Sequence, residues 1–289
     1  SARGAARPDS DRRRRERVLR PRSWGRALPL AALAVLAACT STTTVTTSTA
    51  GSDGLPPRAG TEPGDAQRRA QVRLELAGLY LARGQANTAL DEVNVAIAAK
   101  PDLPEAYNLR GLIHASLGDP QRADDDFQRG LKLNPRDGNA MHNYGWFLCQ
   151  QQRFADAEAQ FERALQQPQY REITRTLLAQ GVCQARAGQW AQAERTLSRC
   201  YELDPANPVT AYNLSEVLLR RGELERARFY VQRINAQPDQ SSAQSLWLAA
   251  RIERRLGNLD AVQSYGRQLQ ERFPQSTETL QFERGRFDD

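Results

Sequence analysis

The side chains best suited to chemistry in this 289-residue chain are few: four Cys, two His and one Met. Cys39, Cys149, Cys183 and Cys200 never fall in a C-x-x-C pair, and two histidines add little. No metal site is therefore expected. The phosphate-binding, zinc-protease and serine-nucleophile signatures G-x-x-x-x-G-K-[ST], H-E-x-x-H and G-x-S-x-G are absent. The reading is of a protein that is not an enzyme and has no cofactor and no small-molecule substrate. What remains is thiol chemistry. In an oxidising compartment Cys149, Cys183 and Cys200 can form one disulfide and leave one thiol over. Three pairings are open. The repeat positions described below favour 149 with 183 or 183 with 200.

Cys39 has a different chemistry open to it. Arg20, Arg22 and Arg26 precede an apolar run from Ala27 to Ala38, which is a charged region followed by a hydrophobic one. A dozen apolar residues fall short of the roughly 20 that a membrane-spanning helix needs, so residues 1–38 read as a signal peptide. The run ends in Leu36-Ala37-Ala38-Cys39, which resembles the lipobox of bacterial lipoproteins. That resemblance implies cleavage before Cys39 and acylation of its thiol. Thr40 stands where an aspartate would retain such a protein in the inner membrane, so the implied location is the periplasmic face of the outer membrane. Residues 1–17 exceed what a charged region requires, and a start at Val18, a misread alternative start codon, would give a compact signal peptide.

Charge and composition agree with this division. Residues 1–38 hold ten Arg against Asp9, Asp11 and Glu16, so of the formal +6 the remainder carries −1. A near-neutral mature chain has no electrostatic footprint for a phosphate backbone, and no nucleic acid is expected as partner. Residues 40–66 are almost entirely Thr, Ser, Gly, Pro, Ala and Asp, too polar to nucleate a core. With Cys39 they read as a lipid-bearing tether, 39–66, reaching roughly 25 to 30 Å.

The elements that position the remaining residues come from internal repetition. Six segments begin at Ala70, Pro104, Gly138, Thr174, Pro208 and Ala243, the period of the tetratricopeptide repeat. A small residue recurs in the first helix of each (Ala77, Gly111, Gly145, Gly181, Ser215, Ala250). A glycine closes that helix (Gly84, Gly118, Gly188, Gly222, Gly257), with Gln152 the exception. A second small residue follows (Ala89, Ala123, Ala157, Ala193, Ala227), with Val262 in the sixth. A proline ends each unit, at Pro101, Pro135, Pro168, Pro205, Pro238 and Pro274. Small residues permit close helix crossing, glycine accepts a left-handed cap and proline cannot continue a helix. Residues 67–289 therefore read as an all-α, right-handed superhelix of six tetratricopeptide repeats, with Gln275 to Asp289 supplying a C-terminal capping helix through Leu280 and Phe282.

Within this frame His114 reads as a core histidine, and Asp124, Asp125 and Asp126 as a solvated acidic turn early in a second helix. The fifth, ninth and twelfth positions of each unit form one stripe on the first helix, expected to line the concave face. It reads Leu74, Gly78, Leu81; Asn108, Leu112, Ala115; His142, Trp146, Cys149; Leu178, Val182, Ala185; then Tyr212, Glu216, Leu219 and Trp247, Arg251, Arg254. The groove is apolar over four units and becomes charged. Leu74, Leu81, Asn108, Leu112, His142 and Trp146 are the expected partner-binding residues, with the leucines and Trp146 as anchors.

The run Asn143-Tyr144-Gly145-Trp146-Phe147-Leu148-Cys149, followed by Gly181-Val182-Cys183, resembles the type IV pilus biogenesis and stability lipoproteins of the PilF/PilW family. Tyr107-Asn108-Leu109-Arg110-Gly111 and Ser264-Tyr265-Gly266 share the likeness, which covers the lipobox and all six repeats. It implies a lipoprotein that assists outer-membrane localisation or multimerisation of the type IV pilus secretin, or stabilises pili. It also implies a disulfide between Cys149 and Cys183, with Cys200 outside that pattern. The implied partners are the secretin and the membrane, through the lipid anchor. A repeat lipoprotein that scaffolds cell-wall enzymes is the alternative with the same anchor and architecture.

Overall fold

The computed structural model describes residues 63–287. The signal peptide, Cys39 and most of the tether lie outside the described residues. Thirteen helices and no strands are present among the described residues. They pair as α1 (Pro63–Ala82) with α2 (Ala86–Ala99), α3 (Pro104–Ser116) with α4 (Pro120–Leu133), and α5 (Gly138–Gln150) with α6 (Phe154–Leu165). The series continues with α7 (Ile173–Arg186) and α8 (Trp190–Leu203), α9 (Pro208–Arg221) and α10 (Leu224–Asn235), α11 (Ala243–Arg255) and α12 (Leu259–Arg272), and ends on α13 (Thr277–Glu283). No helix among the described residues is long and apolar enough to cross a membrane.

Local chemistry sets the helix ends. The side chains of Asp119, Asp137, Asn207, Ser242, Asn258 and Ser276 accept from backbone N–H groups of the first turn that follows each. Pro104, Pro120 and Pro208 stand at helix starts, where the missing N–H costs nothing. The five closing glycines all lie at φ between 73 and 79°. Gln152 adopts the same left-handed backbone at φ 59° and keeps the same bonds: its N–H reaches the Cys149 carbonyl at 3.1 Å and that of Arg153 the Leu148 carbonyl at 2.9 Å. The turn geometry thus survives without glycine, at a strain of roughly 1 kcal/mol.

Two boundaries differ from the sequence reading. Helix α1 begins at Pro63, inside the segment 39–66 read as tether, because Pro63 can open a helix and Asp65 falls in its first turn. The capping helix is only seven residues, and Leu280 is exposed while Thr279 is buried, its Oγ1 donating to the Phe273 carbonyl at 2.7 Å. Phe282 does pack inward, its ring so close to Gly266 that no Cβ would fit there.

Packing follows the small-residue code. Gly145 lies under the ring of Phe161 and Gly181 under Leu197, each closer than a Cβ could tolerate. Phe127, Phe161, Leu197 and Val231, one from each successive second helix, are fully buried and run through the core. The backbones of successive first helices come into contact, α1 with α3 through α9 with α11, whereas those of successive second helices stand farther apart and meet through side chains, as Tyr201 and Glu194 of α8 do with Tyr230 and Arg226 of α10. A stack that closes on one side and opens on the other must curve. The first helices therefore line its inner face.

On the outer side the four junctions from the second unit onward each carry a polar clasp from a second helix to the next unit. Asp124 accepts from Tyr144 Oη and Arg153 at 2.8 Å. Glu158 accepts from the amides of Gln180 at 2.7 Å and Gln184 at 3.0 Å. Glu194 pairs with Arg221 and Arg226, and Arg228 faces Glu253 at 3.9 Å.

Candidate functional site

The inner face is built from the stripe on the first helices. Leu74 and Leu81 of α1 are half-buried, packed on the cluster of Ala77, Val93 and Ile113. Leu112 of α3 and Trp146 of α5 are half-buried against the cluster of Phe127, Phe147 and Phe161. Each keeps one side covered by its own or the next unit and one side open. Arg186 of α7 lies over one face of the Trp146 ring, its guanidinium 5.8 Å from the ring centre. Asn108 Oδ1 accepts from Asn143 Nδ2 at 3.3 Å, and Asn143 Oδ1 from Arg175 at 3.2 Å, a polar rail beside the apolar stripe across three units.

His142 does not join this surface. It is 5 % exposed, with Nδ1 2.8 Å from Thr176 Oγ1, which in turn lies 2.6 Å from Tyr170 Oη. Burial, with the charge of Arg175 adding to it, brings its pKa down to about 4. Position five in this unit is covered by Thr176 of the next, so the imidazole is a neutral joint between units three and four. Leu219, also on the stripe, is 2 % exposed for the same reason.

Cys149 and Cys183 are joined in a disulfide with Cα atoms 5.8 Å apart, both buried, tying α5 to α7. Cys200 is a buried free thiol whose Sγ donates to the Thr174 carbonyl at 3.2 Å, and burial raises its pKa. That environment disfavours the thiolate and its reactivity.

His114 is buried, with Nε2 3.7 Å from Asp126 Oδ2, and burial lowers its pKa against the pull of Asp126. The acidic turn is mostly not solvated. Asp126 is 6 % exposed and bound by Arg110 through Nε at 2.8 Å and Nη2 at 2.7 Å, and Asp124 is a clasp residue; only Asp125 is exposed. The helical register turns Asp126 inward against α3 of its own unit, where Arg110 neutralises it. A cavity of about 640 Å³ on the outer side, lined by Glu158, Gln180, Gln184, Arg195 and Arg199 among others, holds neither His nor Cys in its lining. No cluster of three or more His, Cys, Asp or Glu able to hold a metal occurs among the described residues.

The clasp residues escaped the reading of the sequence. Their signal is weak but present: Asp124, Glu158, Glu194 and Arg228 all occupy the twenty-first position of a unit. In a charged surface helix that recurrence looks like solvation.

Tetratricopeptide repeat models match residues 108–172 and 184–252. The chain is 27 % identical over 219 residues to the type IV pilus assembly protein PilF of Pseudomonas aeruginosa, covering 76 % of this chain and 86 % of that protein. Among solved structures it is similar to PilW, described as a widely conserved type IV pilus biogenesis factor, with TM-score 0.68 and 29 % identity over 73 % of this chain and 96 % of that one. A Pseudomonas aeruginosa PilF structure gives TM-score 0.66 at 25 % identity, covering 76 % and 99 %.

Proposed function

We propose that this chain, which belongs to the type IV pilus biogenesis family of tetratricopeptide-repeat proteins that includes PilF and PilW, is a non-enzymatic outer-membrane lipoprotein that binds the pilus secretin and assists its localisation and multimerisation. Cys39 is its acylation site, and residues 40–62 tether the repeats to the membrane at their periplasmic side. The observation that supports a binding role is the row of Leu74, Leu81, Leu112 and Trp146, half-open on the inner face of the first three units. An extended or helical secretin segment lays its apolar side chains against these four, with the Asn108 rail offering polar contacts at the margin.

Losing such an anchor costs about 2 kcal/mol of binding, or some thirtyfold in affinity. The test is Leu81→Glu and Trp146→Ala, each checked for unchanged circular dichroism and melting, then assayed for secretin multimers in the outer membrane. Loss of multimers is expected. Normal multimers with both folded variants overturn the groove as the secretin site.

A further inference from the structure

The inner face of the last two units differs in chemistry from the apolar stripe, and on α11 it is already occupied by part of the chain itself. Phe287, beyond α13, packs against Trp247 with ring centroids 4.9 Å apart and the ring planes tilted by 40°, and the Arg254 guanidinium lies 4.6 Å from the centre of its ring. Trp247 and Arg254 are seven residues apart on α11, two turns along one face, and hold the fifth and twelfth positions of their unit. These are the positions that Leu74 and Leu81 hold in the first unit. Phe287 therefore sits on the inner-face stripe as a bound side chain would.

The surroundings of this aromatic clamp are basic. Arg220, Arg251, Arg254 and Arg255 project from α9 and α11, and Glu216 is the acid that Arg251 meets at 3.4 Å and Arg220 at 3.7 Å. Glu278 of α13 adds a second carboxylate near Tyr212. Arg254 has the Phe287 ring as its partner, and Arg255 donates to the Leu219 carbonyl at 3.2 Å. Neither of those two guanidinium groups has a carboxylate partner among the described residues. A ring clamp beside uncompensated guanidinium groups matches a segment with an aromatic side chain followed by carboxylates.

We propose that the inner face of units five and six is a docking site for an acidic, aromatic-bearing protein segment, and that Phe287 fills it in cis until such a segment displaces it. The site is separate from the Leu74 to Trp146 groove, and its occupancy is independent of whether the secretin binds there. Gly285, at φ 65°, is the left-handed cap that turns the chain back toward α11.

The probe is a fluorescent peptide with the sequence Arg-Gly-Arg-Phe-Asp-Asp of residues 284–289, added in trans to the purified full-length chain and followed by polarisation. An intramolecular occupant competes at a high effective concentration, so Phe287→Ala should bind the peptide at least about tenfold tighter than the parent. In the Phe287→Ala background, Trp247→Ala and Arg254→Glu should each abolish that gain, and raising salt from 0.1 to 0.5 M should weaken binding. Equal affinity of the parent and Phe287→Ala overturns the proposal. So does peptide binding by Phe287→Ala that neither second substitution diminishes, or equal binding of a peptide with Ala in place of Phe. Because Trp247 is half-buried, Arg254→Glu, whose side chain is exposed, decides the matter if the tryptophan variant is unfolded.

Discussion

His142 illustrates how completely a neighbour can change what a side chain does. By register it belongs to the inner face, yet Thr176 covers it and its pKa falls from 6.5 to about 4 through burial first and Arg175 second. A depressed histidine pKa means that the unfolded chain takes up the proton at a higher pH than the folded one. The contribution of neutral His142 is thus fully present above pH 6.5 and is lost as pH falls from about 6.5 to about 4, by up to roughly 3 kcal/mol. His114, also lowered by burial, acts in the same direction. The expected outcome is a melting temperature that declines across that window, with a shallower decline in His142→Gln, which can still bond to Thr176. A variant whose acid limb matches that of the parent would show that other groups carry the pH dependence.

Between helices the decisive contacts are those that join one unit to the next. The Cys149 to Cys183 disulfide closes a loop of 34 residues between α5 and α7, which in the chain-entropy model contributes about 3 to 4 kcal/mol. Cys149→Ser with Cys183→Ser should therefore lower the unfolding free energy by an amount of that order, seen as an earlier denaturation midpoint, and a reductant should do the same to the parent and nothing further to the double variant. Much of this level was legible beforehand. Small residues, caps and prolines act within one unit, so Gly145, Gly181 and Pro208 declare their roles by type and spacing alone. The roles of Asp124, Glu158 and Glu194 depend on which face of the adjacent unit meets them, and that of Asp126 on Arg110 of its own unit's first helix; a charge on a helix surface reads as solvated until such neighbours are placed. The same blindness placed His142 in the groove. It also left α1 starting too late, since a proline in a polar run reads as linker when nothing shows that the turn after it is helical. Leu74, Leu112 and Trp146 were legible as a stripe because their periodicity is intrahelical, and their half-open state needed only the curvature that the first helices impose.

Taken from end to end, the repeats form a chain of nearest-neighbour interfaces, since no helix contacts one beyond the adjacent unit. Stability in such a stack is a sum of unit and interface terms, so it need not be lost everywhere at once. Units three and four have the strongest interface: a disulfide, the His142–Thr176–Tyr170 hydrogen bonds and the Glu158 clasp all cross it. The end units have a neighbour on one side, and α13 contributes only Thr279 as a fully covered residue. Native-state hydrogen exchange should therefore be graded, slowest in α5 to α8 and fastest in α1, α12 and α13, with local openings at the ends costing well below the global unfolding free energy. Reduction of the disulfide should raise exchange in α5 and α7 selectively while the terminal helices, already limited by fraying, change little. Uniform protection from α1 to α13, shifting as a block on reduction, would instead establish one cooperative unit. The graded outcome has a functional corollary: the first unit, bearing Leu74 and Leu81, and the last, bearing the Phe287 clamp, are the segments free to rearrange around a partner while the disulfide-tied centre holds their spacing.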